Sequence, residues 1–348
     1  MSGGPGAMHA PASEAELDDA LSFPTDLVID TFERAPGDVI VLGAGGKMGP
    51  TLARMAHAAA RRLGDGRRVI AVSRFGSDGA ASALERVGVE TVRCDLLDRS
   101  AVARLPGVPN VIFMAGQKFG TTGAPSVTWA MNTIVPAICA ERYAGSRIVA
   151  FSTGNVYPLT PAGDGGSRET DALAPVGEYA QSCVGRERVL EHYALTRGAR
   201  VAIVRLNYAI DLRYGVLSDI ALKVWRGEPV DVTMGYVNVI WQGDANARAL
   251  ACLPLAASPS VAINVAGRET LRVRELAERL GALLGKPPAI VGEESDDALL
   301  SNSAKSASLF GEPDVRVEQM LEWTAAWVRA GGRLLGKPTH FDARDGAF

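Results

Sequence analysis

The seven residues Gly43-Ala44-Gly45-Gly46-Lys47-Met48-Gly49 have types and spacing that can hold a phosphate. Gly43, Gly46 and Gly49 fit G-x-x-G-x-x-G. The first glycine permits a tight turn, the second lets the backbone approach a pyrophosphate, and the third lets a helix pack closely on a strand. A helix opening at this loop would aim free N–H groups and a partial positive charge at the phosphates. The chemistry served is binding of a nicotinamide dinucleotide, with Lys47 and Met48 flanking the cradle. A second pair, Ser73-Arg74, stands where an acidic residue would bond the ribose hydroxyls of NAD. Arg74 can pair with a 2′-phosphate through its planar fork, and Ser73 can donate a hydrogen bond. NADP is therefore expected ahead of NAD, which stays possible.

Such a cradle works only between a strand and a helix. Val39-Ile40-Val41-Leu42 is a short, unbroken apolar run, as a buried parallel strand should be. Helical spacing follows from Lys47 to Leu63. Further strands are expected at Arg68–Val72, Val89–Val92, Asn110–Met114, Ile148–Phe151 and Val201–Arg205, with helices over Val127–Tyr143 and Val176–Thr196. This alternation predicts right-handed βαβ units and an α/β, Rossmann-type doubly wound parallel sheet. The dinucleotide-binding domain spans 37–207, with 237–263 returning to it. Residues 208–236 and 264–335 are expected to form a smaller C-terminal substrate-binding domain. Residues 1–36 read as a loose tail and two short helices, the first capped by Ser13 with Glu16. Residues 336–348 read as a tail.

Composition narrows the function. Hydrophobic residues make up 47% of the 348 and charged residues 22%, enough apolar content for a substantial core. A net charge of −3 gives no reason to expect nucleic acid or an anionic membrane as partner. Four cysteines without C-x-x-C spacing and four dispersed histidines suggest neither a disulfide framework nor a metal site. No secretory signal or membrane span is read, so a cytoplasmic location is expected.

The chain resembles the extended short-chain dehydrogenase/reductase family, also called the NAD-dependent epimerase/dehydratase family, over residues 38 to 330. Asp95-Leu96 match its adenine-holding pair. Met114-Ala115-Gly116 match the small-residue turn against which the cofactor lies, and Asn132 matches an asparagine on the next helix. Ser152-Thr153-Gly154-Asn155-Val156-Tyr157 resembles the S-[ST]-x-x-V-Y segment. Arg205-Leu206-Asn207-Tyr208 resembles R-x-x-N-[VY] with one residue fewer, and Trp241–Ala247 resembles V-x-D-x-A-x-A. The resemblance implies that Thr153 bonds the substrate oxygen, that Tyr179 is the general acid/base and that Asn207 lies at the cofactor. It also implies a possible homodimer through the helices at 127–143 and 176–196.

One departure bears on mechanism. The family pair is Y-x-x-x-K, and Tyr179-Ala180-Gln181-Ser182-Cys183 has cysteine in place of lysine. In the family that lysine anchors the nicotinamide ribose and lowers the tyrosine pKa; a neutral thiol cannot. Lys118, in Ala115-Gly116-Gln117-Lys118-Phe119-Gly120, is similar to a lysine in an A-G-x-K segment of family epimerases and is the expected substitute, at the catalytic centre and against the cofactor. The implied activity is hydride transfer at a hydroxyl or carbonyl of a sugar-like or polyol substrate. The alternative is a non-catalytic NADP-binding sensor. A 4,6-dehydratase is disfavoured, because Gly154-Asn155 replace the Asp-Glu pair of that subgroup.

Overall fold

The structure is a computed structural model that describes residues 9–76, 78–118, 120–121, 123–337 and 339–346, without the side chain of Asp78. The expected loose tail at the start falls largely on residues 1–8, outside the described residues, as does Phe119 of the lysine loop.

Seven parallel strands form the central sheet: β1 (Val39–Leu42), β2 (Val69–Ser73), β3 (Glu90–Arg93), β4 (Asn110–Phe113), β5 (Arg147–Thr153), β6 (Arg200–Leu206) and β7 (Val261–Val265). Their spatial order is β7-β6-β5-β4-β1-β2-β3. The strand order reverses between β1 and β4, which opens a crevice outside their carboxyl ends. Successive side chains of the central strands are buried on opposite faces of the sheet. Val39, Val41, Ala71, Ile112 and Val149 face one apolar layer, whereas Ile40, Leu42, Ile70, Val111 and Ile148 face the other. With both faces covered, the strands read as continuous apolar runs.

β7 lies partly outside the sequence-read boundary at residue 263, because Asn264 interrupts the apolar run. Before it, the Gln242–Ala251 helix is buried at all ten positions. Its Gln242 and Asn246 amides each donate to Thr51 Oγ1, at 3.0 Å. That bond locks it to the Gly49–Leu63 helix behind the glycine loop. The N-terminal helices Glu14–Leu21 and Asp26–Arg34 cover the same side; Ser13 accepts from the Glu16 N–H as its cap.

A further C-terminal region has its own core. It gathers Ile210, Leu217, Ile220, Val224, Leu276, Leu280, Leu321 and Trp323 together with Leu17 and Leu21. The final residues correct the expectation of a tail at 336–348. Thr339 donates through N–H and Oγ1 to Asp219 at 2.8 and 2.6 Å, Phe341 is buried, and Arg344 pairs with Asp297. The segment lacks periodicity and is held by single side chains, which a pattern-based reading does not detect. No helix among the described residues is long and apolar enough to cross a membrane.

Candidate active site

The residues singled out from sequence follow the carboxyl ends of successive parallel strands and therefore meet at one edge of the sheet. Gly43 follows β1 with φ 90°, and a Cβ there would sit 2.5 Å from the Ala115 nitrogen in the turn after β4. Gly49 opens its helix against the Ala44 backbone, leaving no space for a Cβ. At Gly46 an added Cβ would meet nothing nearer than the Gly43 carbonyl at 3.5 Å. The loop is thus tight where it packs and open at Gly46, beside a helix N-terminus, and these residues fit a dinucleotide pyrophosphate. Gly45 has a role that the spacing did not suggest: a Cβ there would run into Ser73 Oγ at the end of β2. Arg74 is exposed, and its side chain makes no ion pair among the described residues. Asp95 and Leu96 follow β3, at the edge of the sheet beyond β2; Asp95 accepts from the Leu97 N–H at 3.0 Å.

A cavity of about 170 Å³ lies at the centre of this edge. Lys47, Met48, Lys118, Thr153, Tyr179 and Asn207 border it, joined by Asn155, Tyr208, Tyr214 and Thr339. Thr153 ends β5, and its Oγ1 donates to Asn155 Oδ1 at 2.9 Å. The Tyr179 hydroxyl lies in hydrogen-bond contact with Thr153 and with the Cys183 thiol one turn along the Gly177–Arg197 helix. Burial raises the Tyr179 pKa well above the usual phenol range. The Cys183 thiol raises it further, while Arg186 and the Thr153 bond oppose the shift. Burial also pushes the Cys183 thiol up, so it stays protonated. Lys118 Nζ stands 5.8 Å from the Tyr179 ring centroid and donates to the Thr339 carbonyl at 3.5 Å. Burial lowers its pKa to about 8, partly countered by Cys183. The structure therefore brings Thr153, Tyr179 and Lys118 to one space.

Lys47 turns towards this cavity. Its Nζ donates to the Ala209 carbonyl at 3.1 Å and stands 4.2 Å over the Tyr214 ring. Asn132 is completely buried and does not border the cavity. It lies in a π-helical turn, Ala130–Ile134, that interrupts the expected continuous helix. Its amide donates to the Gln117 carbonyl and Ser182 Oγ, and its oxygen accepts from the Gln117 N–H and from Arg186. It therefore ties the Ala115–Gly116 turn to the Tyr179 helix.

Two supporting residues were not read from sequence. Arg186 is buried, donates to the Phe151 carbonyl at 2.6 Å, and lies where a Cβ on Gly116 would strike it. Its charge opposes the rise in the Tyr179 pKa. Glu187 is buried against Arg205, with Oε2 2.8 Å from the guanidinium, and accepts from Ser152 Oγ at 2.6 Å. Arg205 donates in turn to the Tyr157 hydroxyl, which donates to Asn264. This chain binds β5, β6, β7 and the Tyr179 helix together beneath the site. The signal for both residues is a polar side chain at i+7 and i+8 from Tyr179, on the face that the helix buries.

Comparison with known proteins agrees with this architecture. Residues 39–210 match the NAD dependent epimerase/dehydratase family. A dTDP-glucose 4,6-dehydratase from Streptomyces venezuelae, solved with NAD bound, superposes with a TM-score of 0.71 at 21% identity, covering 84% of this chain and 97% of that one. A UDP-glucose 4-epimerase from Thermus thermophilus in complex with NAD gives 0.67 at 20% identity, covering 85% and 99%. One from Thermotoga maritima with UDP-glucose gives 0.66 at 18%, covering 84% and 99%. Among curated proteins no match is found. At these identities the superpositions show a shared fold. The segment 39–210 is thus an NAD-dependent epimerase/dehydratase family domain.

Proposed function

We propose that the protein is an NAD(P)-dependent oxidoreductase or epimerase that moves a hydride at a hydroxyl or carbonyl of a sugar-like or polyol substrate. The observation that carries this is one cavity bordered both by the phosphate loop, through Lys47 and Met48, and by Thr153 and Tyr179. A bound nicotinamide would supply the hydride acceptor or donor. Gly43, Gly46 and Gly49 hold its pyrophosphate, Ala115 and Gly116 line its path, and Asp95 with Leu96 flank its adenine. Exposed Arg74 beside Ser73 favours the 2′-phosphate of NADP, although the superposed enzymes named above that carry a nicotinamide cofactor carry NAD.

Thr153 orients the reacting oxygen and Tyr179 exchanges its proton. With its pKa held high, Tyr179 is a good proton donor to a developing alkoxide. In the reverse direction it needs cationic help, which Lys118 and Arg186 give in place of a lysine at 183. Dehydration is disfavoured on steric grounds too. A Cβ at Gly154 would stand 2.9 Å from Asn207 Oδ1 and from Ser301 Oγ, so a carboxylate there would require both side chains to shift.

A second reading, a non-catalytic NADP sensor, draws on Cys183 in the lysine position. The two separate by following nicotinamide absorbance while polyols and sugars are added to the protein with NADP⁺ or NAD⁺. Substrate-dependent cofactor reduction, or conversion of an added sugar to its epimer seen by NMR, that Tyr179→Phe abolishes supports the enzyme; cofactor binding with neither for any addition overturns it. We also propose a homodimer through the helices around Val127 and Leu195, tested below.

A further inference from the structure

After Arg329 the chain forms no further helix or strand among the described residues, yet residues 339–346 follow a definite course. Thr339 is one wall of the cavity that holds Thr153 and Tyr179. Beyond it, His340, Arg344 and Gly346 cover a groove bordered by Asn155, Val176 and Tyr208. Asn155 and Tyr208 border the cavity as well, so the groove is its continuation. The segment fills that groove: about 30 Å³ remains beneath it, room for about two water molecules.

The segment ends against the start of the Tyr179 helix. Gly346 has φ 70° and Gly177 φ 82°. A Cβ on Gly346 would overlap the Val176 carbonyl, and one on Gly177 the Gly346 carbonyl. Backbone meets backbone there, which glycine at both places allows. The fastenings lie away from the chemistry. Thr339 gives two donors to Asp219, Asp342 stands 3.5 Å from Lys223, and Arg344 pairs with Asp297 and donates to its carbonyl at 3.1 Å. The cavity itself is small. Its roughly 170 Å³ lies below the ~300–1,000 Å³ of sites for drug-sized ligands, and a nicotinamide ring must share it. Thr153 and Asn207 belong to strand ends, and Lys47 and Met48 mark the cofactor's side. Whatever a substrate carries beyond its reacting carbon therefore meets the filled groove.

We propose that residues 339–346 are a specificity strap: docked in the groove, they admit a free sugar or polyol to Thr153 and Tyr179 and bar the same sugar joined to a nucleotide. A nucleotide would need the groove and would have to lift the strap, at the cost of its ion pairs. This deepens the oxidoreductase reading and rests on it for which oxygen reacts. The exclusion rests on the groove alone.

The test is calorimetric titration of the full chain saturated with NADP⁺. Glucose, arabinose, glucitol and arabinitol are compared with UDP-glucose. Two variants free the strap in different ways: Arg344→Ala removes its ion pair, and Gly346→Val forces it off the Val176 carbonyl. Each is expected to bind UDP-glucose about tenfold or more tighter than the parent, the worth of the charge-assisted hydrogen bonds given up. The free sugars and polyols are expected to gain nothing. Arg344→Lys is expected to behave as the parent, which separates a lost latch from a lost fold. UDP-glucose affinity that neither variant raises overturns the proposal, including binding in none of the three proteins. So does an equal gain for the free sugars, or a parent protein that binds UDP-glucose more tightly than every free sugar and polyol. The readout is binding, so a strap that behaves as expected without chemistry on any probe removes the oxidoreductase reading alone. Turnover of UDP-glucose by the parent removes the strap's role and leaves that reading standing.

Discussion

Arg74→Ala is expected to remove most of an NADPH-over-NADH preference, and equal affinities in the parent protein would refute the preference itself. Tyr179→Phe is expected to lower kcat by about 100- to 10,000-fold with cofactor affinity nearly unchanged. At this scale much of the site was legible. Gly43, Gly46, Gly49, Thr153, Tyr179 and Lys118 announce themselves by local spacing. Gly45, Arg186 and Glu187 do not, because what they touch lies about twenty to seventy residues away in sequence.

Between elements, the joints are buried charges. Removing one partner of the Glu187–Arg205 pair strands the other in the core, so Glu187→Ala is expected to cost about 3–5 kcal/mol in urea denaturation. A loss below 1 kcal/mol would show that the pair does not clamp the Tyr179 helix. Asp244, on the fully buried Gln242–Ala251 helix, accepts from the Asp314 and Val315 N–H groups at 3.2 and 3.1 Å, yet burial raises its pKa to about 6. A raised folded value means that its contribution is present at low pH and is lost as pH climbs through about 6. Asp244→Asn is thus expected to gain on the parent protein between about pH 4 and 7, by up to ~3 kcal/mol for a shift of about two units. A constant difference across that range would contradict it. The strands and main helices were readable from apolar runs because both faces of the sheet are covered. The π turn at Asn132 was not, since it keeps the helical pattern of the residues around it.

For the whole molecule, the helices expected to pair carry apolar side chains in water: Val127 is 46% exposed, Ile134 49% and Leu195 64%. If these faces join two copies, Ile134→Asp converts a dimer into a monomer in sedimentation velocity; a monomeric parent protein would remove the pairing. The division into a Rossmann-type sheet and a further C-terminal region was visible where the strand–helix rhythm stops. The docking of residues 339–346 was not, because it depends on Asp219 and Asp297 waiting elsewhere in the chain. That segment shares a wall with the cavity through Thr339 and is held from outside by Asp219, Lys223 and Asp297. Thermodynamic reciprocity then applies: whatever factor a ligand adds to the segment's docking, the docked segment adds to the ligand's affinity. Amide hydrogen exchange at 339–346 should accordingly slow as the cavity fills, giving an occupancy gauge that needs neither turnover nor a labelled ligand.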